Sequence, residues 1–247
     1  MQKVIIRPAV AADIETITRI YADAVLRGTA TFEIEPPDEA EMLRRQTALL
    51  KNGYPYFAAE IESVVAGYAY AGPYRARPAY DWSVEDSVYV APDMHRKGIG
   101  ALLLRALVAA STQRGYRQMI AVIGDSAQIG SIALHDRAGF RHLGTLRSVG
   151  FKHGQWLDTV LMQRALGQGD TTAPSKPLPD GAIPPPPAAS GRARRAPDPV
   201  PGRVARCVQS PKSRYRRPGG APVWDFSRCG RSEPRRRGGT RRRPRGP

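Results

Sequence analysis

Between Val88 and Leu104 the chain reads VYVAPDMHRKGIGALLL: a strand-like run, a proline turn, a basic segment, Gly98-x-Gly100 and then an amphipathic stretch. A loop that feeds a helix N-terminus presents unpaired backbone N–H groups at the positive end of the helix dipole, and glycine lets a phosphate come close to them. The segment therefore reads as a cradle for a pyrophosphate, with Arg96 and Lys97 adding charge beside it. It lacks the third glycine of a dinucleotide fingerprint and the Gly-Lys-Ser/Thr ending of a P-loop. Taken alone, Gly98 and Gly100 fit equally a helix start that needs close packing. Just upstream, Ser83–Val90 has strand character, so Val84, Val88 and Val90 share one face while Glu85, Ser87 and Tyr89 share the other. Glu85 is then a carboxylate on the less core-like face, of a kind that could act as a general base. A solvated strand glutamate is the commoner fate of such a residue. Asp86 points with the valines, where a bare charge is costly unless paired, and is assigned a structural role.

The elements that must hold these residues follow from apolar periodicity. Val4–Ile6 is a short β-branched run. Ile14, Ile17, Ile20, Tyr21, Ala24 and Val25 recur at helical spacing up to Gly28, and a second amphipathic stretch runs from Asp38 to Lys51. Strands are expected around Tyr56–Ile61, Val64–Ala71 and Ser83–Val90, the last two parted by the irregular GPYRARPAYDW. A helix from Ile99 to about Gly115, an apolar strand Met119–Ile123, a short helix Ile129–Arg137 and strands near Thr145–Phe151 and Trp156–Gln163 complete the order. Alternation of this kind gives one compact α/β (α+β) domain around a mixed sheet.

The chain has 247 residues and a formal charge of +16. From Gln168 onward lie 19 of the 38 Lys and Arg but 5 of the 22 Asp and Glu, together with 16 of the 23 prolines. The first 167 residues are nearly neutral, with 19 basic against 17 acidic groups. We therefore divide the chain into a folded domain, 1–167, and a basic Pro/Arg/Gly-rich tail, 168–247, too poor in bulky apolar residues to order itself. Both cysteines, Cys207 and Cys229, lie in the tail, which argues against a disulfide framework, a cysteine metal site or a cysteine nucleophile in the domain. No metal is expected. No apolar run reaches the roughly 18 residues of a membrane helix and no signal-peptide pattern opens the chain, so a cytoplasmic protein without membrane contact is expected.

The strand, basic turn, G-x-G and helix of Val88–Leu104 resemble the acetyl-CoA motif of the GNAT superfamily of N-acetyltransferases. His95 stands where that motif carries Gln or Arg. Upstream RARPAYDWSVEDSVYV and downstream VAVIG and GFKHGQW are similar to the phosphinothricin and methionine sulfoximine acetyltransferase branch, over residues 1–166. The resemblance implies the GNAT fold, a mostly antiparallel mixed sheet flanked by helices. It also implies acetyl-CoA as cosubstrate and direct acetylation of the α-amine of a small amino-acid analogue of the phosphinothricin or methionine sulfoximine/sulfone type.

The same resemblance implies roles residue by residue. Glu85 matches the general base. Main-chain groups of Val88, Tyr89 and Val90 and the segment His95, Arg96, Lys97, Gly98, Ile99, Gly100 and Ala101 match the cofactor site, with Gln128 near the place of an asparagine beside the pantetheine arm. His135, in SIALHDRAGF, falls where many members keep a tyrosine that protonates the departing thiolate, and a hydrogen-bonded helix histidine explains it equally well. Arg75, Arg77 and Tyr80 match positions that hold the substrate's anionic groups, a task that suits paired guanidinium donors. Lys152 and His153 could line another wall or a dimer seam, and Phe32 and Glu33 match a segment that closes over substrate. Trp82 and Trp156 read as core or pocket wall, and His142 has no assigned role. A homodimer is implied by resemblance alone.

Two other readings compete. The acceptor could be a protein N-terminus or another amine, although the cations of RARPAYDW suit a small anionic substrate better. The tail RRRGGTRRRPRGP could bind nucleic acid through counterion release. Its composition is also what a GC-rich coding frame gives when read past its stop or in a shifted frame, which we favour.

Overall fold

The computed structural model describes residues 3–174. The chain order is β1 (Ile5–Pro8), α1 (Ile14–Arg27), α2 (Glu39–Lys51), β2 (Tyr56–Ile61), β3 (Val64–Pro73), β4 (Ser83–Val90), α3 (Ile99–Gln113), β5 (Gln118–Gly124), α4 (Ile129–Arg137), β6 (Arg141–Lys152) and β7 (Gln155–Ala165). The strands form one sheet in the order β1-β2-β3-β4-β5-β7-β6, in which only β4 and β5 run parallel. The expected strand Thr145–Phe151 is part of the longer β6, whose pairing with β7 is broken by irregularities between His142 and Gly144 and between Leu146 and Gly150. Those breaks hid its full length from a period-2 reading.

Both faces of the sheet are covered. On one, α3 buries Ile99, Leu103, Leu104, Leu107 and Ala110 against Phe57, Ala69, Val84, Met119 and Met162. On the other, α1 and α2 bury Ile14, Ile17, Ile20, Val25 and Met42 against Tyr56, Ala58 and Tyr68. The helical spacing of Ile14, Ile17, Ile20, Tyr21 and Val25 thus marks the core face of α1. Asp38 caps α2, its Oδ1 accepting from the Glu41 N–H at 2.8 Å. Gly28 ends α1 in an extended conformation (φ −108°) rather than the left-handed one. A Cβ there would lie 2.8 Å from the Ala24 carbonyl oxygen, so close approach is what requires the glycine.

The expected tail from 168 falls outside the described residues from 175 on. Residues 168–174 form turns that Arg117 holds, donating to the Thr172 hydroxyl at 2.8 Å and to the Ala173 carbonyl at 3.2 Å. Among the described residues no helix is long and apolar enough to cross a membrane.

Candidate active site

The sheet opens at its centre. β4 pairs with β5 only from Ser83–Gln118 to Asp86–Ala121, while β4 stays on β3 as far as Val90–Gly67 and β5 stays on β7 as far as Gly124–Thr159. Beyond Asp86 the two parallel strands part. This leaves a cleft of about 60 Å³ lined by Ser87, Val88, Tyr89, Val122, Ser131 and His135, among others. Main-chain groups of Val88–Val90 on the β5 side have no ladder partner there.

The loop after β4 delivers the chain to α3 at the same end. Gly98 is the residue before the helix and is left-handed (φ 80°), with nothing within 4 Å of the position its Cβ would take. Arg96 is also left-handed (φ 61°). His95 Nε2–H donates to the Val90 carbonyl at 3.0 Å, which ties the loop to the strand end. A side chain other than Gln or Arg therefore serves at this position by bracing the backbone. Gly100 has a different reason to be glycine, because its Cβ would meet Leu134 of α4 at 3.3 Å. The turn thus presents the free N–H groups of a helix start beside space that no side chain fills, as a bound phosphate needs.

Glu85 does lie on the face opposite Val84, but that face is no open surface. It carries Tyr68, Tyr70 and Tyr89 beneath α1 and α2, and Glu85 itself is half-buried. Burial pushes its carboxyl above the usual range, Arg75 pulls it back and Asp86 pushes it further up. A carboxyl raised in this way is a better proton acceptor than a solvated one. Arg75 lies exposed over the Tyr74 ring at 4.4 Å, with Tyr80 edge-on to Tyr74 at 5.7 Å. Arg77 is exposed and precedes the short turn Pro78–Tyr80. The loop cations and Glu85 are therefore brought to one end of β4.

Asp86 is buried with the valines and is paired, as such a charge must be. His135 Nε2–H donates to its Oδ2 at 2.9 Å and His135 Nδ1–H to the Ser131 carbonyl at 2.8 Å. Both partners offer oxygens that can accept, which favours the doubly protonated ring. Burial alone would lower the His135 pKa, but the hydrogen bond and charge of Asp86, helped by Ser131, raise it. The expectation of His135 as a free donor to a leaving thiolate meets a physical obstacle, since both ring nitrogens are engaged and the side chain is 5 % exposed. Gln128, expected beside the pantetheine arm, instead donates to the Thr29 hydroxyl at 3.0 Å, which itself donates to Asp125 at 2.6 Å.

The loop between α1 and α2 folds back over this region. Lys152, expected as a pocket wall, is buried and its Nζ donates to the Thr31 carbonyl at 2.8 Å. Its pKa is lowered by burial, with Glu33 opposing. His153 donates to the Gly28 carbonyl at 3.3 Å, and Glu33 pairs with Arg45 at 2.8 Å. The Phe32 ring occupies the place of a side chain at Gly150 and leaves no room for a Cβ there. Neither Phe32–Gly150 nor Asp86–His135 was visible in the sequence. Trp156 corrects the expectation of a core or wall residue: it is 66 % exposed and lies edge-on to the exposed Phe151. The cross-strand pair Phe151–Trp156 puts both side chains on one face of the hairpin, and no helix among the described residues covers them. Trp82 is half-buried, and His142 lies exposed on β6.

The Acetyltransferase (GNAT) domain family matches residues 6–161. The chain belongs to this acetyltransferase family. The acetyltransferase is 51 % identical to the phosphinothricin N-acetyltransferase of Alcaligenes faecalis over 162 residues, covering 66 % of this chain and 82 % of that one. It is 40 % identical to the L-methionine sulfoximine/L-methionine sulfone acetyltransferase of Pseudomonas paraeruginosa, covering 64 % of this chain and 92 % of the relative. Its fold matches the crystal structure of a phosphinothricin acetyltransferase from Sinorhizobium meliloti in complex with acetyl-CoA, with a TM-score of 0.68 at 52 % identity over 70 % of this chain and 93 % of the other. The open centre of the sheet and the glycine turn thus belong to a family fold that in a relative holds acetyl-CoA.

Proposed function

We propose that this acetyltransferase moves an acetyl group from acetyl-CoA to the α-amine of a small amino acid with a tetrahedral polar side-chain head, of the phosphinothricin or methionine sulfoximine/sulfone kind. The observation that carries the reading is the convergence at β4: a strand parted from its neighbour after Asp86, a glycine turn at its end and a half-buried carboxylate at its start. Acetyl-CoA supplies the activated acetyl group. The N–H groups of residues 95–101 hold its pyrophosphate, with Arg96 and Lys97 beside them, and main-chain groups of Val88–Val90 polarise the thioester carbonyl. Gln128 contributes by bracing the loop at Thr29.

Glu85 takes a proton from the acceptor ammonium, and the free amine attacks directly. The first 167 residues contain no cysteine for a thioester intermediate. Arg75, Arg77 and Tyr80 receive the acceptor's anionic groups, and Phe32 closes the site from the loop that Lys152 and His153 hold down. Asp86 and His135 act as positioning residues that fix α4 against β4 at the cleft.

We further propose that residues 1–167 are the catalytic unit, that the tail is dispensable, and that the enzyme works in the cytoplasm as a homodimer. The edge strand β6 and its hairpin expose Leu143, Leu146, Val149, Phe151 and Trp156, a surface that a second copy would cover. Thiol release from acetyl-CoA across a panel of amines tests the reading. Phosphinothricin and methionine sulfone should outpace N-terminal peptides, and a preference for peptides would replace the small-acceptor assignment.

A further inference from the structure

The loop that joins α1 to α2 is pinned to the end of β5. Asp125, just past that strand, is left-handed (φ 70°), a conformation that aspartate tolerates better than most residues. One oxygen of its carboxylate accepts from the Ala127 N–H at 2.9 Å, and the other accepts from the Thr29 hydroxyl at 2.6 Å. With its one proton spent, the Thr29 oxygen accepts from Gln128 Nε2 at 3.0 Å. The backbones touch as well. A Cβ at Gly124 would lie 2.8 Å from the Ala30 carbonyl oxygen and 2.9 Å from that of Thr29. On the far side of Ala30, Lys152 Nζ donates to the Thr31 carbonyl at 2.8 Å. Ala30 is thus bracketed by an anchor on each side.

Ala30 is also a wall of the cleft of about 60 Å³ between the parted strands. The remaining lining residues belong to β4, β5 and α4, with the buried Asp86–His135 pair among them. Walls of this kind are close-packed and do not yield to an added methylene without cost. Ala30 comes instead from a loop, and only its anchors keep it from moving aside. An acyl group whose carbonyl is polarised at Val88–Val90 carries its chain in this cleft, so a longer chain enters only if Ala30 gives way.

We propose that Thr29 is a positioning residue for the acyl donor: its hydroxyl, locked between Asp125 and Gln128, holds Ala30 as the wall that confines the enzyme to a two-carbon acyl group. The inference rests on the reading that the thioester lies along Val88–Val90. The transfer itself is unchanged. The acceptor ammonium loses one proton through Glu85 to solvent, and the amine nitrogen bonds to the acyl carbon as the C–S bond breaks. The second nitrogen proton ends on the CoA thiol.

The experiment measures kcat/KM of the full chain for acetyl-CoA and propionyl-CoA with L-methionine sulfone as acceptor, and repeats it for Thr29→Val, Thr29→Ser and Ala30→Val. Wild type should prefer acetyl-CoA by about tenfold or more, the effect of one methylene in a closely fitting site. Thr29→Val keeps the shape of the side chain and loses both hydrogen bonds, so the preference should fall severalfold, whereas Thr29→Ser should retain it. Ala30→Val narrows the cleft and should raise the preference, and it carries the test alone if Thr29→Val does not fold. Equal use of the two donors by wild type overturns this inference and leaves the proposed function standing. So does a preference unchanged in either valine variant, or one that shifts in the same direction in both, as a loop merely loosened would give. No turnover with either donor on any acceptor of the amine panel instead removes the underlying reading.

Discussion

His135 and Asp86 are 49 residues apart and meet at 2.9 Å between α4 and β4, both almost fully buried at the edge of the central cleft. Their pairing explains how a charge can sit among Val84 and Val88. It also makes the pair an energetic keystone at the point where the strands part.

Removing one partner leaves the other charge buried alone. Asp86→Asn is expected to destabilise the fold by about 3 kcal/mol, read by chemical denaturation at neutral pH. The raised His135 pKa fixes the sign of the pH dependence. The contribution is complete below the unfolded histidine pKa of about 6.5 and fades as pH rises through the folded value. Wild type should therefore lose stability above that range, and Asp86→Asn should flatten the slope. A slope of the same size in the variant would remove the ion pair as its cause.

Arg75 holds the Glu85 carboxyl down against burial and Asp86. The acidic limb of the kcat/KM profile should lie above the ordinary glutamate pKa, and Arg75→Ala should move it to still higher pH, whatever it does to KM. A limb that stays in place would separate Arg75 from Glu85.

Gly98 and Gly100 should fail differently. Gly98→Ala meets no neighbour but strains a left-handed residue by about 1–2 kcal/mol, so a Tm lower by a few degrees is expected together with weaker acetyl-CoA binding by calorimetry. Gly100→Leu drives a side chain against Leu134 and should lower Tm as well.

Phe32 and Gly150 form a lock between the α1–α2 loop and β6. Gly150→Ala should raise the acceptor KM severalfold by displacing the ring, and the same substitution in a Phe32→Ala background should add almost nothing. Additive effects in that double-mutant cycle would show that the contact is not what Gly150 serves.

The exposed face of β6 and its hairpin is expected to join two copies. Sedimentation of the full chain should give a dimer, and Phe151→Glu with Trp156→Glu should give a monomer that still melts cooperatively.

The parts of the site that were legible in the sequence are those built from neighbours along the chain. The turn at Gly98 is set by a strand, a short loop and a helix that follow one another. The separation of Glu85 from Val84 needs only the two-residue period of a strand. Asp86–His135, Phe32–Gly150 and Lys152–Thr31 are contacts across 49 to 121 residues, decided by how the sheet is ordered and which loop folds over it. Residue type signals that a buried aspartate needs a partner, but not which partner. Trp156 misled because tryptophan is usually buried, whereas here the face it shares with Phe151 has no covering element among the described residues.

In the proposed mechanism a helix-start turn binds acetyl-CoA beside a carboxylate that deprotonates the acceptor. Its most direct test is Glu85→Gln, with acetyl-CoA affinity by calorimetry and turnover of methionine sulfone measured on one preparation. A dissociation constant within about twofold of wild type and a kcat lower by about 100-fold or more are expected. Wild-type turnover in Glu85→Gln, or no heat of binding in either protein, would contradict it.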